Sequence, residues 1–192
     1  MIVAVALLTA LMPAADAASA ARRIAAATVQ PSQASAAALA QFDRQFAAGF
    51  ARGGGRATTP AQKKRLARMR SAGRGELARQ LNSDGIPRLL TLVERDYRGN
   101  FTAAELSEIA AFWTSPAGGA LTSAMRSAGA KGGTLTLPPA HHDAIAAYLA
   151  SPTGRKEAAR SASLRAAMAQ EMTAFLQRAQ PGISARIAAA GQ

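Results

Sequence analysis

The chain has 192 residues, and 49% of them are hydrophobic, which is enough apolar material for one domain with its own core. Alanine supplies much of that fraction and aromatic residues only 5%, so the composition favours helices over sheets and predicts an all-α fold. The absence of cysteine excludes disulfides, thiolate nucleophiles, cysteine-based zinc sites and a lipid-modified N-terminal cysteine.

The formal net charge of +12 belongs mainly to the N-terminal part of the chain. Residues 18–79 carry twelve basic and two acidic side chains, whereas residues 80–192 carry eleven and eight. Such a basic stretch is typical of proteins attracted to a polyanion, for example anionic lipid headgroups, lipopolysaccharide or nucleic acid. A solvated helix face is the alternative interpretation, because net charge by itself concerns solubility and non-specific binding.

The first residues are typical of a secretory signal peptide. Residues 1–12 form an uncharged apolar run, and Pro13 and a stretch of small residues follow it. Ala15 and Ala17 suit the peptidase that removes such signals, so we expect cleavage before Ala18 and export to the periplasm. The run is shorter than the ~20 apolar residues that a membrane-spanning helix requires, which makes an uncleaved N-terminal anchor the weaker alternative.

Residues 18–34 show no firm apolar periodicity, and their composition predicts a flexible segment between the signal (1–17) and a single helical domain over residues 35–192. The first predicted helix of that domain has an apolar stripe at helical spacing: Leu39, Phe42, Phe46 and Phe50. We expect this stripe to face the core, with a groove for a partner as the alternative. Gly53-Gly54-Gly55 ends the helix and is predicted to be a linker, because the Lys-Ser/Thr pair of a phosphate loop is missing.

Thr59 and Pro60 open the second predicted helix, with a capping hydroxyl and a proline at the first helical position. Its side chains that could contact an anionic surface are Lys63, Lys64, Arg65, Arg68, Arg70 and Arg74. We expect this helix to be the most exposed one and to be broken by Gly73 and Gly75. A third helix is predicted from about Pro87 to Tyr97.

The helix after Phe101 begins with a capping box, in which Thr102 and Glu105 are spaced so that their side chains satisfy free backbone N–H groups of the first turn. This helix is predicted to end at Ser115 and Pro116. Proline disfavours helical backbone in the residue before it but suits the first position of a new helix, so the pair predicts a corner between two helices.

A shift of thirty-six residues places residues 101–118 on residues 137–154. The matched positions are Ile109 with Ile145, Phe112 with Tyr148, Ser115 with Ser151, Pro116 with Pro152, and Gly118 with Gly154. We interpret the two segments as copies of one helix-corner-helix unit inside a helical bundle, with the serines as caps and the glycines as points of close helix approach.

The second copy continues into the longest predicted helix, from about Pro152 to Ala179. Pro181 and Gly182 are expected to stop it, and a short terminal helix is predicted beyond them from Ile183 and Ile187. The sequence therefore predicts a helical bundle with a duplicated unit and a long C-terminal helix.

Several of these residues resemble the core signature of the bacterial family called domain of unknown function 2059. They are Phe101, Thr102, Glu105, Leu106, Phe112 and the Ser115-Pro116-x-Gly118 corner. The resemblance covers about residues 85–180, although the second copy departs from the pattern and has His141 and His142 at the positions of Glu105 and Leu106. The family consists of exported or envelope-associated helical proteins without an established activity, so the resemblance implies a fold and a compartment and no catalytic residues.

The sequence offers little catalytic chemistry. His141, His142 and Asp143 form the chain's histidine cluster, but adjacent helical residues point about 100° apart, and no His, Asp or Glu follows at the four-residue spacing of a metal site. Ser115 and Ser151 are better explained as caps than as nucleophiles. We therefore predict a protein that is not an enzyme and needs no metal or cofactor.

Two classes of function remain. The first is an exported envelope protein whose bundle binds an envelope protein or a small apolar ligand between its helices. The alternative is a peripheral binder of anionic membrane or lipopolysaccharide through the basic segment 52–79, whose adsorption should collapse as ionic strength rises. Nucleic acid is a weaker candidate, because an exported protein seldom meets it and the basic segment lacks interleaved aromatics for base stacking.

Overall fold

The computed structural model describes residues 14–52, 59–131 and 134–192, and within them the chain is all-α, as predicted. The helices are α1 (Ala14–Val29), α2 (Pro31–Arg52), α3 (Pro60–Gln80), α4 (Ile86–Asn100), α5 (Ala103–Trp113), α6 (Pro116–Lys131), α7 (His142–Ala150) and α8 (Pro152–Ala190). A π-helical turn, Leu81–Gly85, joins α3 to α4, and a 3-10 turn, Pro139–His141, precedes α7. Most of the predicted signal and the glycine linker at 53–55 lie outside the described residues.

Across the described residues, no helix combines the length and apolarity that a membrane span requires.

The chain folds into two compact units, whereas the sequence predicted one domain. Unit 1 comprises Met1–Ala27, of which residue 14 onward is described, and Glu94–Ala162. Unit 2 comprises Thr28–Val93 and Ser163–Gln192. The boundaries fall within α1, α4 and α8, so no linker composition marks them, and this is why the sequence gives no sign of the division.

The prediction of a flexible segment over residues 18–34 is wrong, because α1 and α2 occupy nearly all of it. Ala20, Ala21, Ile24 and Ala25 are buried along one side of α1. A stripe made mostly of alanine gives a weak hydrophobic pattern, yet alanine has the highest helix propensity. The two helices are separated at Gln30, which has a positive φ of 47° and precedes the proline that begins α2.

The core of unit 2 explains why Gly73 does not break α3. Leu77 and Leu81 of this continuous helical segment are buried with Phe175 and Ala179 of α8. A side chain at Gly73 would come within 2.7 Å of atoms of Phe42 and Ile187, so this glycine permits close packing inside a helix. The predicted break at Gly73 and Gly75 is therefore wrong.

The predicted stop at Pro181 and Gly182 is also wrong, because α8 runs through both residues to Ala190. A proline inside a helix costs about 3 kcal/mol or more. Packing on the far side of the proline offsets this cost: Ile183 packs against the buried cluster of unit 2, and the space beside Gly182 is occupied by the Gln80 side chain. The short separate terminal helix is thus the end of α8.

One buried cluster of unit 1 lies where the two predicted copies meet. Phe112 and Ala117 of the first copy are buried together with Ile145 and Tyr148 of the second, and Leu121, further along α6, belongs to the same cluster. The rings of Phe112 and Tyr148 stack at a centroid distance of 3.8 Å with 5° between their planes. Matched aromatic positions thus face each other across one cluster.

Candidate functional site

A buried carboxylate in unit 1 accepts hydrogen bonds from three aromatic side chains. Glu157, in the second turn of α8, is only 8% exposed. Its Oε1 accepts hydrogen bonds from the Tyr97 hydroxyl at 2.6 Å and from the Trp113 indole N–H at 2.8 Å. Its Oε2 accepts one from the Tyr148 hydroxyl at 2.5 Å. These four side chains, from α4, α5, α7 and α8, form what we call the carboxylate node.

Glu157 belongs to a polar face at the start of α8 whose side chains form hydrogen bonds with α4 and α5. The neighbouring bonds are Thr153 to Glu108 at 2.5 Å, Lys156 to Glu105 at 2.8 Å, and Arg160 to Asp96. The α8 residues of this face, including Glu157, are spaced at i, i+3, i+4 and i+7, which places them on one side of the helix. The start of α8 is therefore held by polar contacts as well as by apolar burial.

Sequence reasoning missed the carboxylate node, although two clues were present. The chain has one tryptophan and two tyrosines, and all three donate to Glu157. These residues also carry polar groups that need a partner once buried. The polar i, i+3, i+4, i+7 spacing near the start of α8 was the second clue. Neither clue identifies Glu157 as the acceptor, because the donors lie between nine and sixty positions away from it in the sequence.

The hydrogen bonds of the carboxylate node suit a structural role. Burial and the hydrogen bond to Glu157 raise the pKa of Tyr148, so its hydroxyl remains a protonated donor. Both carboxylate oxygens of Glu157 already accept hydrogen bonds from neutral groups, so action as a general base would require breaking them. We interpret the node as a fixed connection between four helices.

The predicted corners share one geometry. The Ser115 hydroxyl accepts from the Gly118 N–H at 3.2 Å, and the Ser151 hydroxyl accepts from the Gly154 N–H at 3.0 Å, so both predicted capping bonds are present. Pro116 and Pro152 begin α6 and α8. A Cβ atom at Gly118 would lie 2.3 Å from the Phe112 carbonyl oxygen, and one at Gly154 would lie 2.0 Å from that of Tyr148.

The capping box at the start of α5 is confirmed and has a further partner. The Thr102 hydroxyl accepts from the Glu105 N–H at 3.3 Å, and the Glu105 carboxylate accepts from the Thr102 N–H at 2.7 Å. Lys156 also donates to this carboxylate, and it lies 4.9 Å from the centre of the Phe101 ring. The Lys156 hydrogen bond is the main reason that the pKa of Glu105 is lowered.

The histidine pair lies at the start of α7, where His141 is half-buried and His142 is exposed. A ring nitrogen of His142 lies 3.1 Å from the Leu137 carbonyl oxygen. In the described parts of the chain, no three His, Asp or Glu side chains come together in a group that could hold a metal ion.

The basic side chains proposed from the sequence are all exposed on α3, but the structure separates them into two sets. Arg70 and Arg74 bind Asp43 of α2 at 2.8 and 2.5 Å, and the Arg70 hydrogen bond is the main cause of the lowered pKa of Asp43. The remaining four form no salt bridge with any acidic side chain that the structure describes. We call these four the basic face: Lys63, Lys64, Arg65 and Arg68.

The α2–α3 pair also has an open groove with a volume of about 340 Å³. Its lining residues are Phe46, Ala47, Phe50, Lys63, Leu66, Ala67 and Arg70. The apolar stripe of α2 divides at this point, because Leu39 and Phe42 pack against the buried cluster of unit 2 whereas Phe46 and Phe50 line the groove. The prediction that the whole stripe faces the core is therefore confirmed only for Leu39 and Phe42.

Comparison with known proteins gives a family match for part of the chain. Residues 88–138 match the family model described as "Uncharacterized protein conserved in bacteria (DUF2059)". This match confirms the resemblance to domain of unknown function 2059 over the first corner, and it ends where the second copy begins. No curated protein and no solved structure matches the chain. The family description assigns no activity.

Proposed function

We propose that this protein is a non-catalytic module of the bacterial envelope that adsorbs to anionic membrane surfaces through the basic face of α3. The observation that carries the proposal is the set of four exposed cations within two helical turns, none of which is neutralised by a described acidic side chain. A Lys or Arg close to an anionic lipid surface contributes about 1 kcal/mol.

Three cations of the basic face, Lys64, Arg65 and Arg68, lie close enough around α3 to contact one extended surface together. Within α3, Lys63, Leu66 and Arg70 line the groove beside α2, and the spacing of these residues defines one side of the helix. Lys64, Arg65 and Arg68 extend the positive charge over the sides that do not face α2. Asp43 compensates part of the charge of Arg70 and Arg74, so these two arginines are minor contributors to adsorption.

The compartment is part of the proposal. The apolar run over residues 1–12 and the small residues after it predict export, which would bring the chain to the periplasm and its anionic lipid surfaces. The family match over residues 88–138 is compatible with a bacterial envelope protein, and it assigns no catalytic role that competes with binding.

The test is a vesicle co-sedimentation experiment with the 192-residue chain. Phosphatidylglycerol-containing vesicles should bind the protein at low salt, pure phosphatidylcholine vesicles should not, and adsorption should fall steeply towards about 1 M salt, where the Debye length is only ~3 Å. Replacing the four residues of the basic face with Gln should weaken adsorption at least about tenfold, given the contribution of each cation.

The matched control removes four exposed charges elsewhere: Arg95, Arg126, Arg155 and Arg165, each to Gln. This variant has the same net charge as the basic-face variant, so a specific contact predicts that it retains most of its adsorption. Adsorption that survives both the basic-face substitutions and high salt would contradict the proposal and indicate an apolar contact instead.

A further inference from the structure

The groove of the α2–α3 pair contains apolar surface that the core of unit 2 leaves uncovered. Phe46 is half-buried, and its ring lies 5.8 Å from that of Phe42, so it continues the stripe that begins in the core. Phe50 stands one turn further on and is also half-buried. Together with Leu66 and Ala67 of α3, these rings line a groove that the described residues of unit 2 leave open.

We infer that this groove binds the single alkyl chain of an anionic amphiphile, with Lys63 contacting the anionic head group. The inference rests on the proposed function and names the ligand class for the same pair of helices. Ligand pockets that are mostly apolar with a few placed polar groups are the usual kind of small-molecule site. Lys63 and Arg70 are the charged members of this lining.

The charges of the lining assign the head group to one end of the groove. Arg70 is bound to Asp43 at 2.8 Å, so part of its charge is compensated, and its aliphatic stem contributes to the wall. Lys63 is exposed and forms no salt bridge with a described acidic residue. A carboxylate or phosphate therefore finds its cation at Lys63, beside the apolar wall of Phe46 and Phe50.

The size of the groove favours a chain over a protein partner. At about 340 Å³ it lies at the small end of the range of about 300–1,000 Å³ for ligand pockets. A stable protein partner covers about 800 Å² on each side, far more than this groove offers. A single flexible alkyl chain fits a narrow open groove. The other cations of the basic face, Lys64, Arg65 and Arg68, would contact the surrounding lipid head groups.

The probe is decanoate below its micelle concentration, titrated into the 192-residue chain by calorimetry and followed by amide NMR shifts. Decanoate should bind one per chain and perturb α2 and α3, whereas acetate, which lacks the chain, should not bind. Ala67→Leu fills the groove and should weaken binding about tenfold. Lys63→Gln should weaken binding of decanoate severalfold and leave that of uncharged decanol unchanged.

The matched control is Ala61→Leu, an exposed position on the same helix outside the groove, which should bind decanoate as the wild type does. Thermal melts establish that each variant is folded. The groove inference fails if the wild type does not bind decanoate, or if Ala67→Leu binds it with the affinity of the wild type. If vesicle adsorption nevertheless requires the basic face, the proposed function stands. If, in addition, the basic-face variant adsorbs to vesicles as strongly as the wild type, both proposals are overturned.

A second copy of the chain is the competing occupant. Sedimentation equilibrium of the wild type without ligand should show a monomer whose mass does not change on substitution of Ala67. A dimer that Ala67→Leu dissociates would show that the groove is an interface between copies, and would overturn the inference.

Discussion

At the scale of single residues, the two glycines of the corners are predicted to be more sensitive than the serines that cap them. A Cβ at Gly118 would lie 2.3 Å from a backbone oxygen, so Gly118→Val should cost a few kcal/mol through overpacking and strain. Ser115→Ala should cost about 1 kcal/mol, the value of a lost cap. Urea melts should give the same ranking for Gly154→Val and Ser151→Ala, and equal costs for glycine and serine would contradict it.

Glu157 accepts the hydrogen bonds of two buried tyrosine hydroxyls in unit 1. Glu157→Ala removes the acceptor of the buried Tyr148 hydroxyl and should cost about 1–3 kcal/mol for that unsatisfied group. Glu157→Gln keeps one acceptor oxygen and should cost less. The only tryptophan, Trp113, donates to this carboxylate, so its fluorescence reports on the node during the melt.

The control for Glu157 is Gln170→Ala, an exposed position on the same helix. Its melting curve should coincide with that of the wild type. If Glu157→Ala melts there too, the carboxylate node does not hold unit 1 together, and the buried donors must find other partners.

At the scale of elements, Glu76 links α3 to the last part of α8 and makes the stability of unit 2 sensitive to acid. Its carboxylate accepts from Arg79 and Gln80 and lies 3.7 Å from Arg186. The Arg79 hydrogen bond, followed by that of Gln80, lowers the pKa of Glu76 from 4.5 to about 2. A carboxyl group with a lower pKa in the folded state stabilises the fold above its unfolded pKa and loses that contribution as pH falls.

Stability should therefore decline between pH 4.5 and about 2, and Glu76→Gln should remove part of that decline. The measurement is the urea midpoint as a function of pH for wild type and variant. Gln170→Ala, an uncharged substitution at an exposed position of α8, is the control and should give the same dependence on pH as the wild type. A Glu76→Gln variant whose stability falls as steeply as that of the wild type would contradict this role.

Element starts were predictable from the sequence, whereas element ends were less so. The caps at Thr59, Thr102 and Ser115 depend on residues three positions apart, and such local patterns are visible in one sequence. Gly73 and Pro181 are local helix breakers, but contacts with distant residues outweigh that tendency here. Contacts of that kind depend on the tertiary fold and are invisible to local rules.

At the scale of the whole molecule, composition predicted the fold class and the basic face but neither the division into two units nor the groove. The basic face is a run of neighbouring charges in one helix, so the sequence shows it directly. The groove depends on how α2 lies against α3, and the carboxylate node depends on four helices. Sites assembled from distant segments need the structure before their residues can be grouped.

Hydrogen exchange of the chain with and without phosphatidylglycerol vesicles at low salt tests directly whether α3 contacts the membrane surface. The amides of α3 are suited to this measurement, because a helix with few buried residues exchanges through local opening. We expect vesicles to slow exchange in residues 59–74 and to leave residues 94–162 unchanged. Protection confined to residues 94–162, with none in α3, would contradict this expectation.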